Sequence, residues 1–417
     1  MQRALLLFAV ASLAGLPAAD GDDWPQFRGP GRDGISRETG LLRSWPADGP
    51  KVLWSLAVGQ GYSAAAIHDG RVFFNDYDES EGIWLVRSVS LDKGEALWSF
   101  REPRLIRPNH GITRTVPAVD GKHVFSLDPK AVLHALDAAT GEEVWRKSLV
   151  EAYQAMIPPW YNGQCPLLDG GRLIVAPGGS ALLVALDPAT GEEVWRTPNP
   201  QGWPMSHSSI VVATLDGVRQ YLYTNLFGTV GVAADDGRLL WHFPFKFNVA
   251  VAPSPVPLAD GRVLITAGYD AGGSVFRVAK AGDGWRADEV VPFPASLWSS
   301  EIQTPIFHQG HLFGVGRHDR GLFSCLDADG GVVWTSAGKA AFEMGSYLLA
   351  DGMFFVLEGK TGVLRLVEAT TDEYRELAQA PVLSGHDVWA PPALSDGRLV
   401  VRDMGRMICL DVRGDSG

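Results

Sequence analysis

The segment Ala135-Leu-Asp-Ala-Ala-Thr-Gly-Glu-Glu-Val-Trp-Arg146 recurs 50 residues later at 185–196, with eleven of twelve positions identical. Self-similarity at such a period is the mark of a chain built from stacked supersecondary units. Weaker copies keep the same grammar: Ser90-Leu-Asp-Lys-Gly-Glu-Ala-Leu-Trp98, Ala233-Ala-Asp-Asp-Gly-Arg-Leu-Leu-Trp241 and Cys325-Leu-Asp-Ala-Asp-Gly-Gly-Val-Val-Trp334. A turn glycine followed by a β-rich run comes earlier in each unit, at Gly70, Gly121, Gly171, Gly217, Gly261, Gly310, Gly352 and Gly397. Eight markers 42 to 51 residues apart fit four-stranded propeller blades. A single core is not required of so long a chain when repeats stack on their neighbours.

The second unit shows the local chemistry. Val116-Pro-Ala-Val119 reads as an inner strand, Asp120-Gly121 as a hairpin turn and His123–Leu127 as the second strand. Val132–Leu136 and Glu143–Arg146 then read as the third and outer strands. The recurring tryptophans 98, 145, 195, 241 and 334 are expected to pack between blades, with Trp285 and Tyr374 as loose substitutes in the fifth and seventh units. The last unit, from Trp389, holds only about three strands, whereas Val52-Leu-Trp-Ser-Leu56 reads as an outer strand without a blade. Pairing the two closes the ring and hides its sheet edges. The expected fold is therefore all-β: an eight-bladed propeller of four-stranded antiparallel blades over 51–417, closed by its N-terminal strand, with seven blades as the alternative.

Before it come two other segments. Residues 1–19 combine Arg3, an apolar run from Ala4 to Leu16 and small residues at Ala18 and Ala19. That pattern reads as a cleaved signal peptide, too short to cross a bilayer. The expectation is an extracytoplasmic protein, periplasmic or released, without a transmembrane segment. Residues 20–50 read as an irregular arm held against the propeller by Trp24, Phe27 and Trp45. A net charge of −12 argues against nucleic acid. Cys165, Cys325 and Cys409 are too few and scattered for a disulfide framework, and the last two occupy the repeat's alanine position.

These motifs resemble the repeat of quinoprotein (pyrroloquinoline quinone, PQQ) propellers. The stretch Trp24-Pro-Gln-Phe-Arg-Gly-Pro-Gly-Arg-Asp-Gly34 is similar to the leader of secreted PQQ-binding-like repeat proteins. The resemblance implies one of two branches: dehydrogenases of alcohols or sugars that use PQQ and Ca²⁺, or cofactor-free binding and scaffold propellers. From the first the chain departs by having no adjacent cysteine pair, no insertions for an active-site cover, and no positions matching the metal-ligating Glu, Asn and Asp or the catalytic Asp. From the scaffold lipoprotein it departs by lacking the lipid-attachment cysteine.

A site would lie in the loops that lead into the inner strands, since loops carry most function. They offer His110 and Arg114; Trp160, Tyr161, Asn162 and Gln164; Trp203 and His207; Trp298, Glu301 and Gln303; Glu343; and His386, Asp387 and Trp389. Aromatic platforms with a few polar groups suit a planar or sugar-like ligand. Arg114 would clamp a carboxylate, and Glu301 and Glu343 would offer oxygens to Ca²⁺. The plainer alternative is that these groups satisfy one another and the buried backbone. A three-histidine zinc site is not expected, and Glu142-Glu143 and Glu192-Glu193 lie on solvated turns. The function expected is a ligand- or protein-binding scaffold, monomeric, with no cofactor and no catalytic residues. The alternatives are a PQQ/Ca²⁺ dehydrogenase and a carbohydrate-binding or carbohydrate-cleaving propeller.

Overall fold

The computed structural model describes residues 23–107, 110–316 and 321–414, so the leader segment lies outside the described residues. Eight four-stranded antiparallel sheets follow one another around a ring. Blade 2 is typical, with strands Ala118–Val119, His123–Leu127, Val132–Asp137 and Glu143–Ser148 from the channel outward. Blade 8 combines Ala393–Ser395, Arg398–Arg402 and Arg406–Asp411 with the N-terminal strand Lys51–Ala57, in the register Trp54 opposite Cys409. The apolar core is divided between blade interfaces: Phe125, Leu127 and Leu133 of blade 2, for instance, pack with Leu173, Val175 and Val184 of blade 3.

The repeated residues explain the ring. In six blades the outer-strand tryptophan faces a small residue of the third strand: Ser88 for Trp98, Ala135 for Trp145, Ala185 for Trp195, Gly231 for Trp241, Cys325 for Trp334 and Cys409 for Trp54. Cysteine therefore replaces alanine where an indole leaves room for one small side chain, and burial pushes the Cys325 and Cys409 thiols up to about 12. Four of these indoles then hydrogen-bond to the next blade. Trp54 Nε1 donates to Leu91 O (2.7 Å), Trp98 to Ala138 O (3.0 Å), Trp145 to Pro188 O (2.9 Å) and Trp334 to Thr370 O (3.0 Å). A Cβ added to turn glycine 94, 141, 191 or 237 would lie within 2.8 Å of the indole of the preceding blade. The turn between the third and outer strands is thus a seat for that ring.

One short helix, Leu149–Tyr153, interrupts the pattern between blades 2 and 3. Ser148 caps it by accepting from Glu151 N, and Gln154 ends it in the left-handed conformation.

Candidate functional site

Strand direction sorts the connections onto two faces. Outer-to-inner links between blades and second-to-third turns within blades share one end of the channel, called the mouth here. The turn-glycine hairpins lie at the other. All the sequence-derived site residues therefore belong to mouth-face connections.

Around the mouth, small polar groups join blade to blade. Asn75 Nδ2 donates to Thr115 Oγ1 (2.8 Å), Val116 N to Cys165 Sγ (3.2 Å) and Cys165 N to Ser209 Oγ (2.9 Å). On the far side Ser254 N donates to Thr304 Oγ1 (2.9 Å), Tyr347 OH to Thr304 O (3.1 Å) and Ser346 Oγ to Ala390 O (2.8 Å). Arg402, buried in blade 8, completes the belt by donating to Gly59 O (2.7 Å) and Ser63 O (3.3 Å) beside blade 1. Buried polar groups of this kind are held because each finds a partner.

Several expected site residues serve that framework. Gln164 exchanges hydrogen bonds with the Ala176 backbone, at 2.8 Å and 2.5 Å. Gln303 donates to Trp389 O (2.8 Å) and Met344 O (3.3 Å), tying together the links into blades 6, 7 and 8. Trp298 is buried with Phe293, Leu312 and Leu326. Trp203 stacks on Phe227 at 6.4 Å and meets His242 at 4.5 Å, on blade 4. His110 and Glu343 are exposed, Glu301 is half-buried, and the exposed His386 lies 3.3 Å from Asp387.

The rest converge. Trp389 stacks on Tyr62 with centroids 5.1 Å apart, and the Arg114 guanidinium lies 5.9 Å from the Tyr62 ring centre. Burial lowers the Arg114 pKa. His207 approaches Trp160 at 6.3 Å, and burial together with the Arg114 cation pushes it down to about 4, so the imidazole is neutral. The Asn162 amide is buried with no partner at either atom, and His207 Nε2 is buried and unpartnered as well. Tyr62 escaped the sequence reading, although Gly61-Tyr62 stands before the first turn marker as the other loops do before theirs.

The opposite half of the channel is filled by the arm. Trp24 forms a bridge with Ile67 of blade 1, and Val119 N of blade 2 donates to Pro25 O (2.9 Å). Arg28, fully buried, donates to Thr304 O (2.9 Å) and Pro305 O (3.3 Å) ahead of the blade 6 inner strand. Arg32 donates to Pro166 O (2.7 Å) and Cys165 O (3.1 Å) ahead of blade 3. Leu349 of blade 7 pairs with the arm through Gly34 O and Ser36 N, and Gly397 N of blade 8 donates to Glu38. The arm plugs the channel by reading backbone carbonyls around the ring.

Comparison with known proteins agrees with this architecture. A family model described as outer membrane protein assembly factor BamB matches residues 84–290. The crystal structure of BamB from Moraxella catarrhalis superposes with a TM-score of 0.59 at 15% identity, over 86% of this chain and 96% of that one. The chain is a PQQ-like repeat β-propeller. Quinohemoprotein alcohol dehydrogenase from Comamonas testosteroni superposes on this PQQ-like propeller with a TM-score of 0.54 at 14% identity, over 95% of this chain and 81% of that one. The computationally designed protein Ika8 does so with 0.57 at 12% identity, over 87% and 100%. No curated protein matches the chain. At such identities the likeness concerns the fold, and function must be argued from the site.

Among the described residues no three His, Cys, Asp or Glu side chains group to hold a metal. Tyr62 covers one face of Trp389.

Proposed function

We propose that this propeller is an extracytoplasmic protein-binding scaffold that docks its partner on the mouth face of its first five blades. One observation carries the reading. Among the described residues, the exposed large aliphatic and phenyl side chains outside the outer strands are Leu105, Val150, Met156, Phe227 and Val249. Every one lies on a mouth-face connection between blade 1 and blade 5, with Leu105 81% exposed and Phe227 backed by Trp203. Exposed apolar side chains confined to one face favour that face as the interaction surface. The arm supports the same reading, because a plugged channel leaves the rim as the accessible surface. The extracytoplasmic placement rests on the leader-like segment and on the family description. We assign PQQ and Ca²⁺ no part in this function.

Co-purification of a partner from the native envelope tests the reading. Leu105→Glu with Phe227→Glu should abolish recovery while leaving the circular dichroism spectrum unchanged. Undiminished recovery contradicts it.

A second reading has its own support: a small polar ligand at the mouth centre, facing the unpartnered Asn162 amide and His207 Nε2 beside Arg114 and Trp160. Micromolar binding of a sugar or quinone, lost in Asn162→Ala, would favour it.

A further inference from the structure

We infer that the face opposite the mouth binds a small oxyanion, held against Arg32 in a cavity between the arm and blades 3 and 4. The cavity measures about 230 Å³ and is walled by Pro30, Gly31, Arg32, Asp169, Thr214 and Arg219. A water molecule claims about 30 Å³, so the cavity has room for an oxyanion with part of its hydration shell.

Charge selects the ligand. Arg32 is buried, its two terminal nitrogens donate to carbonyl oxygens, and its Nε has no partner. Among the described residues no carboxylate pairs with it, and the charge of Arg28, another buried cation, opposes its own. Burial, and to a lesser degree Arg28, push the Arg32 guanidinium down to about 10, which leaves it charged at neutral pH. A buried charge without a counter-charge is costly. The one carboxylate in the wall, Asp169, is taken by Arg219 and by the Tyr221 hydroxyl at 2.9 Å. The lining thus carries two guanidinium groups against one carboxylate, in a chain whose net charge is −12. Carboxylate, phosphate and sulfate share the planar or tetrahedral oxygen geometry that guanidinium binds. Thr214, exposed at the lip, marks where the ligand enters.

Isothermal titration of the full chain with inorganic phosphate, sulfate and succinate, each balanced with sodium chloride to constant ionic strength, tests the inference. Saturable one-to-one binding is expected for at least one of the three, and the strongest identifies the oxyanion. Arg32→Gln should remove it. Thr214→Glu changes an exposed position, keeps the fold and sets a carboxylate at the lip, so affinity should fall about tenfold or more. If Arg32→Gln does not fold, Thr214→Glu decides. Titrations indistinguishable from chloride, or affinity unchanged in Thr214→Glu, overturn the inference.

Discussion

Gly217 and Gly237 lie in the same blade with nearly the same backbone, φ +73° and +74°, but in different surroundings. A Cβ at 217 meets nothing within 4 Å, whereas one at 237 would lie 2.3 Å from Cε3 of Trp195 in blade 3. Gly217→Ala should therefore cost only the left-handed conformation, about 1–2 kcal/mol. Gly237→Ala incurs that cost and also displaces a ring that is 9% exposed. Full truncation of a buried tryptophan costs about 3–5 kcal/mol. Partial displacement should therefore add about 2–3 kcal/mol, for a total near 4. Denaturant midpoints with a common slope measure both. In a Trp195→Ala background the cost of Gly237→Ala should fall to that of Gly217→Ala, the signature of a coupled pair. Equal costs for the two glycines in the wild-type background would refute the claim that the repeated turn is a seat for the preceding blade's indole.

Three further outcomes follow from the buried charges. The folded state holds His207 at about 4, below the ordinary value near 6.5, so the unfolded chain binds the proton first as pH falls. The stabilisation is present above pH 6.5 and is lost toward pH 4, by about 3 kcal/mol relative to His207→Gln; denaturation at several pH values checks it. His68 behaves oppositely: its hydrogen bond to Asp23, with Nδ1 and Oδ2 at 2.6 Å, raises its pKa. That contribution to pinning the arm is complete below about pH 6.5 and disappears as pH rises through the raised value, so His68→Gln should lower the melting temperature at pH 5.5 and leave it unchanged at alkaline pH. Arg28→Ala removes donors to Thr304 O, Pro305 O and Asp33 O, and should destabilise by about 3 kcal/mol while exposing the arm to limited proteolysis.

What was legible in the sequence was what repeats. The Leu-Asp…Trp framework recurs because a seated indole needs a small residue opposite it and a turn glycine of the following blade beneath it. The weaker fifth and seventh units depart from it: Trp285 pairs near the hairpin end with Lys280, and Tyr374 precedes its outer strand, so neither occupies the usual seat. The helix at Leu149 was illegible because five residues are too few for periodicity. The site residues were legible only as to face. Whether Gln164 bonds Ala176 or a ligand depends on which backbone groups lie opposite, and single-copy loops carry no repeat to reveal it. Arg28 and Arg32 stood in a noted motif, but their partners are carbonyls in blades 6 and 3, which no local pattern announces.

The central claim is that the mouth face of blades 1 to 5 is a protein-docking surface. Photo-crosslinking in the native envelope tests it most directly, with the reactive residue placed at Leu105, Phe227 or Val249 and, as controls on the other face, at Thr214 or Asp260. One and the same adduct is expected from the three mouth positions and none from the controls. Adducts of equal yield from both faces, or none from the mouth, would contradict it.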